Sequence, residues 1–174
     1  MTEFRRVLFR SISLEIRRQI NSHPIISKYF RVLSNAEMIP DSFRQSGLDD
    51  YNDPDISWGN AIQSIRDDEF LLDPTRMTLS CGHAGFDGTT FKNILADKFN
   101  IQLNKTSRNS ILPQSNINNT RSDIALLISV LVDIVMDLET KITEKCEGYR
   151  QAFEQQFREQ GDYLTQPPDL SLLD

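Results

Sequence analysis

The stretch that decides the fold is residues 73–99, DPTRMTLSCGHAGFDGTTFKNILADKF. Apolar and polar side chains alternate over residues 75–80, which is the period of a strand that buries one face. A loop with three glycines, residues 81–88, follows directly. Beyond it the apolar spacing becomes i, i+3, i+4, i+8, which predicts a helix whose buried stripe is Phe91, Ile94, Leu95 and Phe99. The chain therefore builds its core here from a strand, a loop and a helix.

The next residues return to the strand period. Ile101 and Leu103 alternate with polar neighbours and predict a second strand. A polar turn at 105–109 separates it from a third strand expected over residues 110–117. A strand, a helix and two further strands in this order predict a small mixed sheet.

The most regular pattern in the chain follows this sheet. Thr120-x-x-Asp123 resembles a capping box, and apolar residues then recur at helical spacing over residues 120–145. We expect this helix and the helix over 88–99 to cover one face of the sheet, which places the chain in the α/β class. The other face needs a layer that the rest of the sequence does not clearly supply, so we interpret the chain as an incomplete fragment.

The N-terminal part predicts mainly helix. Ile12, Ile16 and Ile20 share one helical face, with Arg17 and Arg18 expected to point outward. Proline, glycine and asparagine then mark connecting loops. The predicted organisation has four parts: residues 1–11, a helical connecting region at 12–72 from a missing large domain, an α/β small domain at 73–146, and a C-terminal helix and tail at 147–174.

Residues 1–11 do not match the rest of the chain. They are locally basic in an acidic protein and lack the uninterrupted apolar region of a secretory signal. Residues 3–11, EFRRVLFRS, resemble the translation of a common sequencing adapter fused in frame. We therefore interpret residues 1–11 as such an artefact or as disordered, and leave them out of the fold prediction.

Composition excludes several function classes. The 174 residues carry a formal charge of −6, which disfavours phosphate backbones and anionic lipid as partners. Two cysteines cannot build a disulfide framework and are typical of a reducing compartment. No apolar run approaches the length of a membrane span. These features predict a cytoplasmic protein that binds neither nucleic acid nor membrane.

Few residues carry recognisable chemistry. Cys81 and His83 are too few for a metal site, and no nucleophile elbow or phosphate loop is present. The turn at 105–109 is more informative, because it places Lys105 and Arg108 among small polar side chains. Such a cluster can hold a carboxylate or phosphate. The same residues can equally form a solvated hairpin turn or a domain interface.

A series of ordered motifs resembles the prokaryotic ornithine/lysine/arginine decarboxylases. The motifs are HPIISKYF at 23–30, LDPTRMTL at 72–79, GFDGTTFK at 85–92, IQLNKTSRN at 101–109 and NTRS at 119–122. The resemblance covers nearly everything after Ser11. Departures are modest and include His83, where the family more often has a hydroxyl residue. They bear on substrate choice more than on family.

The resemblance implies the C-terminal subdomain of a pyridoxal 5'-phosphate enzyme with the aspartate-aminotransferase fold. In this family a Schiff-base lysine follows a histidine, whereas here His23 precedes proline and His83 precedes alanine. The resemblance therefore implies a lyase fragment that has no catalytic residue of its own and is inactive alone. The intact enzyme would be a homo-oligomer acting on ornithine, lysine or arginine.

The resemblance also suggests which residues face the active-site cleft. Candidate substrate-binding residues are Lys105, Thr106, Ser107, Arg108 and Asn109. Arg108 is the foremost candidate for a carboxylate contact. The alternative is a non-catalytic interaction module that pairs with a full-length decarboxylase.

Overall fold

A computed structural model of the chain describes residues 2–47, 57–64, 66, 68–70, 72–103, 105–116, 118–144 and 147–161. The helices are α1 (Thr2–Ser22), α2 (Asn35–Met38), α3 (Trp58–Ser64), α4 (Gly88–Phe99), α5 (Arg121–Glu144) and α6 (Glu147–Gly161). The strands are β1 (Arg31–Val32), β2 (Leu79–Ser80) and β3 (Ser110–Ile111), and 3-10 turns occupy Ile26–Lys28, Asp41–Phe43 and Gly82–Ala84. The fold is mixed α/β, with a small sheet among longer helices.

The sheet is antiparallel in both described strand pairs, with β2 between β1 and β3. Leu79 lies opposite Val32 on one side and Ile111 on the other, so these apolar side chains share one face. The prediction of a mixed sheet is therefore wrong. A parallel pair would have needed the strand expected at 101–103. That strand would follow β2 through the crossover helix α4, and strands joined in this way run parallel.

Residues 101–103 form no strand. α4 ends at Asn100, whose φ of 55° turns the chain through the left-handed region. The N–H of Ile101 then donates to the carbonyl of Leu95 at 3.0 Å. The first donor of the expected strand is thus used to end the helix.

The strand expected over residues 110–117 is short for a different reason. Thr106 bridges Ile111, so the hairpin begins to pair. Pro113 has no N–H to continue the ladder. Its carbonyl instead accepts a hydrogen bond from the N–H of Met77 at 2.9 Å. Regular pairing consequently reaches only Ile111, and the chain beyond it lies beside the residues that precede β2.

α1 packs its predicted stripe into the core. The stripe is buried and consists of Ile12, Ile16 and Ile20. Arg17, predicted to point outward, is only 8% exposed. Its guanidinium donates to the carbonyls of Leu33 and Arg76, both at 3.2 Å. The prediction failed because these backbone oxygens, which lie far from α1 in sequence, need donors when they are covered.

The predicted division of the chain can be compared with the core. α1 begins at Thr2 and includes residues 2–11 as helical backbone, although the origin of that run stays a prediction. β1 comes from the region expected only to connect domains, yet it forms an edge of the sheet. One apolar cluster contains residues from both sides of the boundary predicted at residue 72.

Helices α4 and α5 form as the apolar periodicity predicts. Phe91 of α4 is fully buried, and its ring stacks on those of Phe30 and Phe86 with centroids 5.0 and 5.5 Å apart. At the start of α5 the N–H of Thr120 donates to the Asp123 carboxylate at 2.7 Å, which confirms the predicted cap. Among the described helices, none is both long and apolar enough to cross a membrane.

Candidate functional site

The turn at 105–109 closes a tight hairpin with β3. The N–H of Ser107 donates to the carbonyl of Ser110 at 2.8 Å, and the N–H of Leu112 donates to the carbonyl of Lys105 at 3.1 Å. Together with the bridge between Thr106 and Ile111, these bonds fix the backbone of the turn. The five predicted site residues therefore lie on one ordered segment.

Backbone hydrogen bonds from the loop at 81–88 hold this turn in place. The N–H of Gly88 donates to the carbonyl of Arg108 at 3.0 Å, and the N–H of Cys81 donates to the carbonyl of Asn109 at 2.9 Å. A Cβ on Gly88 would overlap the carbonyl oxygens of Ser107 and Ser110. Glycine is required there because the two backbones are in direct contact.

The side chains of the turn point in different directions. Lys105, Ser107 and Arg108 are exposed, and Thr106 is half-buried. Asn109 is buried, with 8% of its surface exposed, in the position where its backbone bonds to Cys81. The surface of the turn therefore exposes two cationic groups and a hydroxyl. Asn109 is buried instead, and its carbonyl helps to hold the turn by accepting the hydrogen bond from Cys81.

Asp87 orders the other side of this contact by capping α4. Its carboxylate accepts hydrogen bonds from the N–H groups of Thr89 (3.0 Å) and Thr90 (2.9 Å) and from the Thr90 hydroxyl (2.5 Å). The Thr90 hydroxyl is the largest cause that holds the pKa of Asp87 below its ordinary value. The cap fixes the start of α4, and with it Gly88, against the turn.

Cys81 is a buried cysteine whose thiol is unreactive in this fold. Burial raises the pKa of its thiol to about 12, because the thiolate would lie in an apolar surrounding. The thiol donates to the carbonyl of Asn109 at 3.2 Å. Within the described residues, no group of three His, Cys, Asp or Glu side chains could hold a metal ion. Cys81 therefore acts as a buried support for the turn.

Helix α6 covers the same loop from another side through aromatic rings. The rings of His83 and Phe157 meet edge to face with centroids 5.4 Å apart. A Cβ on Gly85 would lie 3.2 Å from the Phe153 ring. Sequence reasoning missed this cover, although the i, i+4 spacing of the two phenylalanines on a polar helix is a usable signal.

Within the described part of the chain, three of the larger cavities lie away from the turn. One of about 660 Å³ separates α1 from the start of α5, one of about 340 Å³ lies between α4 and α5, and one of about 290 Å³ lies below residues 101–103. None of these three is lined by residues 105–109. The turn is thus an exposed edge of the described structure, and a ligand held there would need a second surface.

The described residues do not fit pyridoxal phosphate by themselves. Neither histidine is followed directly by a lysine. The backbone N–H of Ser107 already bonds to Ser110, and those of Cys81 and Gly88 bond to the turn. These donors are not available to cradle a phosphate, and we derive no catalytic step through the cofactor on this chain.

The fold and the turn define a small α/β unit with an antiparallel sheet and an exposed cationic hairpin. Comparisons with protein-family models, with curated proteins and with solved structures found no match. The resemblance of the motifs is therefore the ground on which a function can be proposed.

Proposed function

We propose that this chain is the C-terminal part of a cytoplasmic, homo-oligomeric, pyridoxal-phosphate-dependent decarboxylase of ornithine, lysine or arginine. The motifs at 72–79, 85–92 and 101–109 support this proposal, because they resemble motifs of that family and follow one another in the same order. The observation that carries it is the packing of two of these motifs on each other. Gly88, in one motif, contacts the backbone of residues 107–110, which include the end of another.

In this proposal the chain contributes substrate recognition, while the large domain supplies the Schiff-base lysine. Arg108 is exposed on a backbone that is hydrogen-bonded on two sides. A guanidinium on such a support can pair with a carboxylate in a fixed orientation. Lys105 adds a second cation two residues from the hydroxyl of Ser107. The role of these residues is to bind and orient the substrate in a cleft shared with the large domain.

The first experiment tests the position of the turn in the intact enzyme. Arg108→Ala in the full-length decarboxylase should lower kcat/KM at least tenfold and leave Tm within about 2 °C, since an exposed side chain adds little stability. Arg158→Ala is the matched control, because this arginine is also exposed but lies on α6. Unchanged kinetics for Arg108→Ala would remove the turn from the cleft.

The second experiment separates the fragment from the interaction module. Borohydride treatment of the 174-residue chain with pyridoxal phosphate should leave no pyridoxyl group at a unique lysine. Specific labelling at one lysine would overturn the fragment proposal. A reading frame that starts immediately before Ile12 would instead favour the module that pairs with a full-length decarboxylase.

A further inference from the structure

The groove between α4 and α5 has an apolar floor. Its cavity has a volume of about 340 Å³, and the apolar lining consists of Phe86, Ile94, Phe99, Ile134 and Leu138. Ile134 and Leu138 are buried, whereas the other three are only partly covered. A floor of this kind releases water when another surface covers it, which favours association.

The rim of the groove carries charges in a regular order. Asp133, Asp137 and Lys141 line it from α5, four residues apart and therefore on one side of the helix. Lys141 donates to the Asp137 carboxylate at 2.5 Å. Lys98 lines the groove from α4. The rim thus has two positive and two negative groups, and the two outer groups on α5 have opposite signs.

This order of charges is complementary to itself. In a symmetric dimer each residue i that contacts residue j of the partner is matched by j contacting i. When two copies of α5 run antiparallel with Asp137 nearest the two-fold axis, positions 133 and 141 lie four residues on either side of that axis. Asp133 then faces the partner's Lys141, and Lys141 faces the partner's Asp133.

We propose that the groove between α4 and α5 is a homodimer interface, in which a second copy of this chain lays its α5 antiparallel along the first. The two copies of Asp137 meet near the axis, where Lys141 of the same helix offsets each charge. Lys98 gives the partner's α5 a further cation. The apolar floor supplies most of the affinity, and the charge pairs fix direction and register. The inference does not depend on the proposed decarboxylase role.

Sedimentation equilibrium of the 174-residue chain over a range of concentrations tests this interface. Wild-type protein should be in a monomer–dimer equilibrium. Asp133→Lys should weaken dimerisation at least tenfold, because lysine then faces lysine twice across the axis. The variant keeps the pair between Lys141 and Asp137 and adds a neighbouring cation for Asp137, so α5 should remain folded. Circular dichroism checks this directly.

The decisive variant exchanges both charges. Asp133→Lys combined with Lys141→Asp should restore dimerisation to within about threefold of wild type, since each lysine again faces an aspartate. Asp137 also keeps a lysine four residues away. Glu154→Lys on α6 makes the same charge change as Asp133→Lys at an exposed site outside the groove, and should leave the dimer unchanged.

Two outcomes would overturn the proposal. A wild-type chain that stays monomeric up to millimolar concentration would leave the groove to a different protein. A dimer that responds equally to Asp133→Lys and Glu154→Lys, or that the double exchange fails to restore, would place the interface elsewhere.

Discussion

Two regions hold the loop at 81–88, and they do so by different means. The hairpin at 105–112 contacts it through backbone hydrogen bonds and through a glycine that allows two main chains to touch. Helix α6 contacts it through the rings of Phe153 and Phe157. The backbone contact allows the loop and the hairpin only one register relative to each other. The ring contacts of α6 can be lost without breaking any backbone hydrogen bond between the loop and the hairpin. The candidate site accordingly lies on the more strictly positioned of the two regions.

Removing the buried ring of α4, the helix whose first residue contacts the hairpin, should have the largest effect. Phe91→Ala should destabilise the chain by about 3–5 kcal/mol, because the cavity left at a fully buried site cannot collapse completely. Phe157→Ala, at a ring that is 37% exposed on α6, should cost less than about 1 kcal/mol. Urea unfolding measures both free energies. Equal losses would mean that the two regions are supported alike.

Adding one methyl group tests the backbone contact itself. Gly88→Ala should destabilise the chain by about 1–3 kcal/mol, because Cβ would overlap the carbonyl oxygens of Ser107 and Ser110. Gly59→Ala is the matched control in α3, where a Cβ would meet no atom within 4 Å. It should be neutral or stabilise the chain by up to about 1 kcal/mol. Similar thermal unfolding of both variants would contradict the close approach.

Loosening α6 should spare the hairpin. Phe153→Ala should cost about 1 kcal/mol, since the ring is half-buried. Amide hydrogen exchange should quicken in α6 and at Gly85, while the N–H groups of Cys81 and Gly88 stay protected. If protection of these two amides falls together with that of α6, the two regions form one cooperative unit and the contrast between them is wrong.

The smallest expected effect is the charge on the α4 cap. Asp87 has a lowered pKa in the fold, so its charge adds stability above the ordinary carboxyl pKa of about 4, and this stability is lost as pH falls through the lower folded value. Asp87→Asn keeps an acceptor for the cap but removes the charge. Wild type should have the higher Tm at pH 7, and the difference should shrink as pH falls below about 4 and the carboxylate is protonated. If the difference in Tm between wild type and Asp87→Asn does not change with pH, the charge of Asp87 contributes nothing and the cap stabilises α4 through its hydrogen-bond geometry alone.

Much of the helical structure was predictable from the sequence. The stripe on α4 and the cap and stripe of α5 are local patterns, because side chains three and four residues apart share a helix face. The turn at 105–109 was also predicted as a turn. Its mixture of exposed and buried side chains was not, since the position of Asn109 depends on Cys81, which lies 28 residues away.

Three errors share one origin. The strand at 101–103, the mixed sheet and the outward Arg17 were each inferred from local spacing. In each case hydrogen bonds of the backbone overrode the spacing: the N–H of Ile101 ends α4 by donating to Leu95, and without a strand there the sheet has no parallel pair. Arg17 turns inward to the distant carbonyls of Leu33 and Arg76. Spacing indicates which face is apolar, but it does not indicate where unpaired carbonyls will lie.

By itself the sequence determined the α/β class, the long helices and the segment that carries the candidate site, because periodicity, caps and turn residues act within a few positions of one another. Only the tertiary structure decided the antiparallel order of the sheet, the burial of Asn109 and Arg17, and the facing of α4 and α5 across a charged groove. These features join residues that are far apart in the chain. The sheet order and the burial of Asn109 and Arg17 arise because buried backbone groups must find hydrogen-bond partners wherever the fold places them. The groove forms because the apolar stripes of α4 and α5 pack into the same core.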